Sequence, residues 1–229
     1  MAAEHPTGPP SRWKTAAEAL SGLEAIRLAT RTQRLSRSPL GDDGPVILVP
    51  GLGATDVSML PLRRFLRERG HRAKSAGFGR IHSDVPLLAR QLIERADAFH
   101  RESGRKVALI GWSLGGLLSR ETARNRPDLI ERVITFGTPV VGGPAHTAFA
   151  RRYTDDEIAQ IEILINKRSQ VPIEVPITAI WSRRDGVVSG RACVDHYSPN
   201  VENLEVSSTH LGMALDPDVW SIIAKRLAA

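Results

Sequence analysis

The chain has 229 residues, 41% apolar and 24% charged, with 31 basic against 25 acidic side chains and a formal net charge of +6. That is enough chain for one globular domain with a substantial core, and no run of about 18 apolar residues is present to cross a membrane. The basic excess is mostly arginine and is scattered (Arg63, Arg64, Arg67 and Arg69; Arg151 and Arg152; Arg183 and Arg184). Without a basic run interleaved with aromatics it reads as solvated helix faces, and no nucleic-acid partner is expected.

Met1 to Pro10 contains Pro and Gly and reads as loose, and Met1 to Leu40 shows no apolar leader core followed by a small-residue cleavage site. The single cysteine, Cys193, excludes an internal disulfide and fits a reducing compartment, so a cytoplasmic location is expected. Trp13 to Leu35 carries Trp13, Ala16, Leu20, Leu23, Ile26 and Leu28 at near-helical spacing, with Arg27, Arg31 and Arg34 elsewhere. This predicts one or two amphipathic helices packed by their apolar face on the body of the domain; a membrane-surface anchor is the weaker alternative.

From Gly44 onward, strands and helices alternate. Strands are expected at Val46 to Val49, Arg72 to Phe78, Lys106 to Ile110, Arg132 to Phe136, Ile177 to Trp181 and Asn203 to Val206. Helices are expected at Ser58 to Arg69, Ser83 to Ser103, Ser113 to Asn125 and Pro217 to Leu227, each bounded by Pro, Gly or a capping residue. The alternation predicts an α/β fold with a mostly parallel, doubly wound sheet of six strands and ligands at its carboxyl edge. Residues 1–44 are expected as a helical extension and 45–229 as the main domain. The pattern breaks at about 140–175, where Thr154-Asp155-Asp156-Glu157 is a capping box followed by Ile158, Ile161, Leu164 and Ile165 as an apolar face. Lys167 and Arg168 then suit the end of the helix dipole. This insertion is expected to cap the strand ends, the plainer reading being a crossover helix.

Between the third strand and its helix stands Gly111-Trp112-Ser113-Leu114-Gly115-Gly116, a G-x-S-x-G elbow in its strand–turn–helix context. A serine hydroxyl is a weak nucleophile and needs a base that is itself oriented by a carboxylate. Asp185 follows the fifth strand and His210 the sixth, giving the order Ser, Asp, His at three strand ends. His196, Asp195 and Asp216 are rivals less well placed, and His5, His71, His82, His100 and His146 read as surface or packing residues. The tetrahedral oxyanion needs two backbone N–H donors, assigned to Leu114 and, from the loop Pro50-Gly51-Leu52-Gly53, to Leu52. Gly51-x-Gly53 lacks the third glycine of a dinucleotide fingerprint because position 56 is Asp, and no Walker, zinc or calcium loop is present.

With these segments, and with Thr135-Phe136-Gly137-Thr138-Pro139, the chain from Val46 to its C-terminus resembles an α/β-hydrolase-fold esterase or lipase, similar to bacterial triacylglycerol lipases and carboxylesterases. The resemblance implies Ser113 as nucleophile, His210 as base, Asp185 as its orienter and no cofactor. Pro50 stands where many relatives have His, and the N-terminal antiparallel strands of the full fold have no counterpart. The expected substrate is a small-molecule or lipid ester, with Phe149, Tyr153, Ile158 and Ile161 of the cap suggesting an apolar acyl pocket. Transfer of the acyl group to another acceptor, or a non-catalytic binding scaffold, are the alternatives.

Overall fold

The computed structural model describes residues 8–31 and 35–229; the readings made on Met1 to Thr7, His5 included, and on Arg34 fall outside them. Six parallel strands form one sheet: β1 Pro45–Val49, β2 Arg72–Ser75, β3 Val107–Trp112, β4 Ile130–Phe136, β5 Ile177–Trp181 and β6 Val201–Glu205. Their order is β2-β1-β3-β4-β5-β6. Every residue of β1 and β3 is buried, as continuous apolar runs covered on both faces must be. Among the described residues seven α-helices accompany them: α1 Arg12–Ala17, α2 Gly22–Thr30, α3 Leu60–Glu68, α4 Val85–Ser103, α5 Leu114–Asn125, α6 Asp155–Ser169 and α7 Pro217–Leu227.

Alternate strand residues feed two cores. Leu48, Ile110, Ile134 and Phe136 pack with Leu62 and Leu66 of α3 and with Trp220 and Ile223 of α7. Ile47, Val49, Leu109 and Val133 pack on the other face with Leu88, Leu92 and Phe99 of α4 and Leu118 of α5. The period of two along each strand is thus read out as two layers of helices, the doubly wound architecture expected. Because β1 is followed outward by β2 while β3 lies on its other side, the switch point falls between the carboxyl ends of β1 and β3. The Pro50–Gly53 loop and Ser113 follow those two ends.

Local chemistry sets the boundaries. Asp84 caps α4 by accepting from the Leu87 N–H at 3.0 Å, and Gly104 ends it in the left-handed region. β2 stops at Ser75, short of the expected Phe78, because Gly77 turns the chain at positive φ. The capping box of α6 forms, with Glu157 N–H on Thr154 Oγ1 at 3.2 Å and Thr154 N–H on Glu157 Oε2 at 2.8 Å. Ile161 and Ile165 approach Gly143, whereas Leu164, expected on the same apolar face, is exposed.

The N-terminal helices are the main departure from expectation. They form, but their apolar stripe faces solvent: Trp13 is 86% exposed and Ile26 62%, and Leu20 and Leu23 are exposed as well. The face turned inward is charged. Glu18 and Glu24 are buried, and of the expected apolar positions only Leu28 reaches the core. The reason is the surface they meet, which consists of backbone donors in the loops after β5 and β6 and the acidic start of α7. Arg27 bridges Glu24 at 2.5 Å, Asp218 at 3.1 Å and Asp216 at 3.6 Å, and Arg31 reaches Asp218 at 3.0 Å.

Asp216 caps α7 through the Asp218 N–H, yet burial holds its carboxyl above the ordinary value of 3.8. Glu24 is likewise raised, first by burial and then by the charge of Asp216. A raised carboxyl binds its proton more tightly in the folded chain than in the unfolded one, so its ionisation lowers stability as pH rises past the unfolded value. Asp216→Asn keeps the capping oxygen and removes the buried charge. It is expected to raise the urea midpoint at pH 7, with the gain vanishing below about pH 3.8. Equal midpoints at both pH values would contradict this.

Candidate active site

β3 ends at Trp112, and the chain then reverses into α5 within one residue. Ser113 takes that turn at φ 54° and ψ −121°, one of two non-glycine residues with positive φ among those described. Such a conformation is strained and persists only where its surroundings fix it. Here the Ser113 N–H donates to Phe136 O at 2.9 Å, and the Ser113 carbonyl accepts from Gly116 N–H and Thr138 Oγ1, both at 3.0 Å. A Cβ at Gly111 would collide with the Gly116 backbone, and one at Gly115 with the carbonyls of Val49 and Pro50. The flanking glycines are therefore demanded by strand–helix crossing, as the motif implied.

The loop after β5 carries Asp185 and the loop after β6 carries His210. Asp185 is 1% exposed and His210 3%, and Asp185 Oδ2 lies 2.7 Å from His210 Nδ1. Asp185 Oδ1 accepts the Val187 and Val188 N–H groups at 2.9 and 2.7 Å, so one oxygen shapes the loop while the other faces the imidazole. The His210 ring stands 5.7 Å from that of Trp112, the residue before Ser113. Gly137 lies against both partners: a Cβ there would come within 2.8 Å of His210 Nδ1 and 3.3 Å of Asp185 Oδ2. The Thr135–Pro139 segment thus has a physical reason for its glycine. Among the described residues no hydrogen bond joins the Ser113 hydroxyl to His210. That contact is often long in a free enzyme and closes on substrate binding.

The two rival carboxylates are engaged elsewhere. His196 is exposed. Asp195 is buried against Arg120 at 2.8 Å; burial opposes its ionisation, but the guanidinium prevails and holds it below the ordinary 3.8. Asp216 is the α7 cap already described. Burial, and then the charge of Asp185, push the Cys193 thiol well up, so it stays protonated and is no competing nucleophile.

Among the described residues neither expected oxyanion donor has a backbone acceptor. Leu114 opens α5 and has no intrahelical acceptor for its N–H. In the β1 loop, the N–H groups of Gly53 and Ala54 are taken by Ile81 O and Gly51 O, while among the described residues that of Leu52 has no backbone acceptor. A Cβ at Gly51 would stand 3.1 Å from Ser113 Cβ, which places this loop over the serine.

The insertion is stitched to the acid loop. Thr147 bridges Val188, the Ala148 N–H donates to Val187 O at 2.7 Å, and the Ser189 N–H donates to His146 O at 2.8 Å. Phe149, Tyr153, Ile158 and Ile161 are half-buried in this region. Two described cavities lie away from it: about 480 Å³ between α2, α3 and Trp220, and about 310 Å³ near Arg132 and Arg226. Among the described residues no group of three His, Cys, Asp or Glu is placed to hold a metal ion, and no helix is long and apolar enough to cross a membrane.

Comparison with known proteins agrees with the fold. The mature Bacillus licheniformis lipase BlEst2 superposes with a TM-score of 0.64 at 16% identity, over 84% of this chain and 95% of that one. The monoacylglycerol lipase of Paleococcus ferrophilus superposes at 0.59 and 19% identity, over 83% and 96%. At these identities the likeness is one of fold. A model of the alpha/beta hydrolase family matches residues 46–218, and the chain belongs to that family.

Proposed function

We propose that the protein is a serine hydrolase of carboxylic esters, acting through an acyl-enzyme. The observation that carries this reading is the buried Asp185–His210 contact of 2.7 Å beside a serine held at positive φ on a strand–helix turn. Asp185 fixes the Nδ1–H tautomer, leaving His210 Nε2 as the base. His210 takes the Ser113 proton as Oγ bonds to the ester carbonyl carbon, and the oxyanion accepts from the Leu52 and Leu114 N–H groups. The imidazolium then protonates the departing alcohol oxygen as the C–O bond breaks. Water, losing a proton to His210, attacks the acyl carbon, and as the bond to Oγ breaks the imidazolium returns that proton to Ser113, releasing the acid and the free serine. No step calls for a cofactor.

Residues 45–229 then form the catalytic body and residues 140–175 its cap, with Phe149, Tyr153, Ile158 and Ile161 proposed to meet the acyl group. That two of the fold neighbours are a lipase and a monoacylglycerol lipase supports a small-molecule or lipid ester as the substrate class. The test is a series of p-nitrophenyl esters from acetate to palmitate, with product analysis in water and with added alcohol or amine. We expect a burst of p-nitrophenol followed by turnover to the free acid, with medium or long chains preferred. Products carried only on the added acceptor would indicate an acyltransferase, and no turnover of any ester a binding scaffold.

A further inference from the structure

Glu18 lies in the short turn Glu18–Leu20 between α1 and α2, and it is 7% exposed. Its Oε1 accepts the N–H of Gly186 at 2.7 Å and of His210 at 2.8 Å, and its Oε2 accepts the N–H of Leu211 at 2.9 Å. One carboxylate therefore holds the residue after Asp185 and the backbone of His210 together. Thr15 adds to this, its hydroxyl donating to the Gly186 carbonyl at 2.7 Å, so both backbone groups of Gly186 are engaged by the N-terminal helices. A Cβ at Gly186 would run into the Lys14 backbone; glycine there is what lets α1 lie on the acid loop.

The two loops have a second link at their roots, where buried Ser182 Oγ accepts the Arg184 N–H at 3.0 Å and the Ser208 N–H at 3.3 Å. Glu18 joins them nearer their tips, at the residues that carry the chemistry. Burying a carboxylate is costly unless it is well hydrogen-bonded, and three N–H donors supply that compensation. A helix serving only to cover the core would turn Trp13, Leu20, Leu23 and Ile26 inward, yet all four face solvent while Glu18 faces the loops.

We propose that Glu18 is a positioning residue for the His210–Asp185 pair, setting the separation and tilt of the two loops so that the imidazole meets Ser113. The proposal rests on the serine-hydrolase reading above. Its test is kcat and KM of the full chain for p-nitrophenyl butyrate in the wild type, Glu18→Ala, Glu18→Gln, Thr15→Ala and the exposed-face control Trp13→Ser. A displacement of the base by about 1 Å costs on the order of 100-fold, so Glu18→Ala should lose about 10- to 100-fold in kcat with KM little changed. Glu18→Gln, which keeps one acceptor oxygen, should fall between that variant and the wild type, Thr15→Ala should lose less, and Trp13→Ser nothing. An active wild type with kcat of Glu18→Ala within about twofold of it, or with the loss in KM alone, would overturn the proposal. If Glu18→Ala does not fold, Glu18→Gln and Thr15→Ala decide: lowered kcat at unchanged KM in both supports it, and unchanged kcat overturns it. A wild type that turns over no ester overturns the underlying reading and this proposal with it.

Discussion

Asp185→Asn is expected to lower kcat for a p-nitrophenyl ester by about 10⁴-fold while leaving the fold intact. The side-chain oxygen that accepts from Val187 and Val188 can be kept by asparagine, so the loop retains its shape. The amide NH₂ must then point at His210 Nδ1, where a donor now meets a donor. The imidazole escapes by moving its proton to Nε2, and the base needed by Ser113 is lost. Measured kcat together with the urea midpoint separates this from simple destabilisation. A loss of less than about tenfold with an unchanged midpoint would contradict the assigned role.

Asp195→Ala is expected to cost about 3–5 kcal/mol of stability. Arg120 on α5 and Asp195 pair at 2.8 Å with side chains 5% and 0% exposed, and removing the acid leaves a guanidinium buried without its counter-charge. The lost Asp195 Oδ1 also serves the N–H groups of Tyr197 and Ser198. At about 2–4 °C per kcal/mol for a chain of this size, the thermal midpoint should fall by roughly 6–20 °C. Arg120→Met combined with Asp195→Ala should lose less than the sum of the single changes, because neither charge is then stranded. The folded-state value of Asp195 is depressed, so its contribution is present above about pH 3.8 and fades as pH falls through the lowered folded value. Strict additivity of the two changes would contradict a coupled pair.

The sheet was legible because β1, β3 and β5 are short, mostly apolar runs bounded by turn residues, and the order Ser113, Asp185, His210 at the ends of the third, fifth and sixth strands was legible for the same reason. Asp185 could be preferred over Asp195 from its strand-end position alone, and the Arg120 pairing supplies the physical reason. The Trp13–Ile26 stripe misled, since helical periodicity identifies an apolar face without saying what it meets. What decides the orientation is a set of backbone donors some 170–190 positions away along the chain, at Gly186, His210 and Leu211. Glu18 carried no motif that could have announced it. Leu164 failed similarly: it shares the apolar pattern of Ile161 and Ile165, but only the latter two approach Gly143.

Whether Ser113 is the nucleophile is tested by reaction of the folded protein with a fluorophosphonate followed by peptide mass mapping. We expect a single stoichiometric adduct on Ser113, loss of esterase turnover in step with labelling, and neither labelling nor turnover in Ser113→Ala. A wild-type protein that hydrolyses esters yet carries no adduct on Ser113, or a Ser113→Ala variant that keeps wild-type turnover, would contradict it.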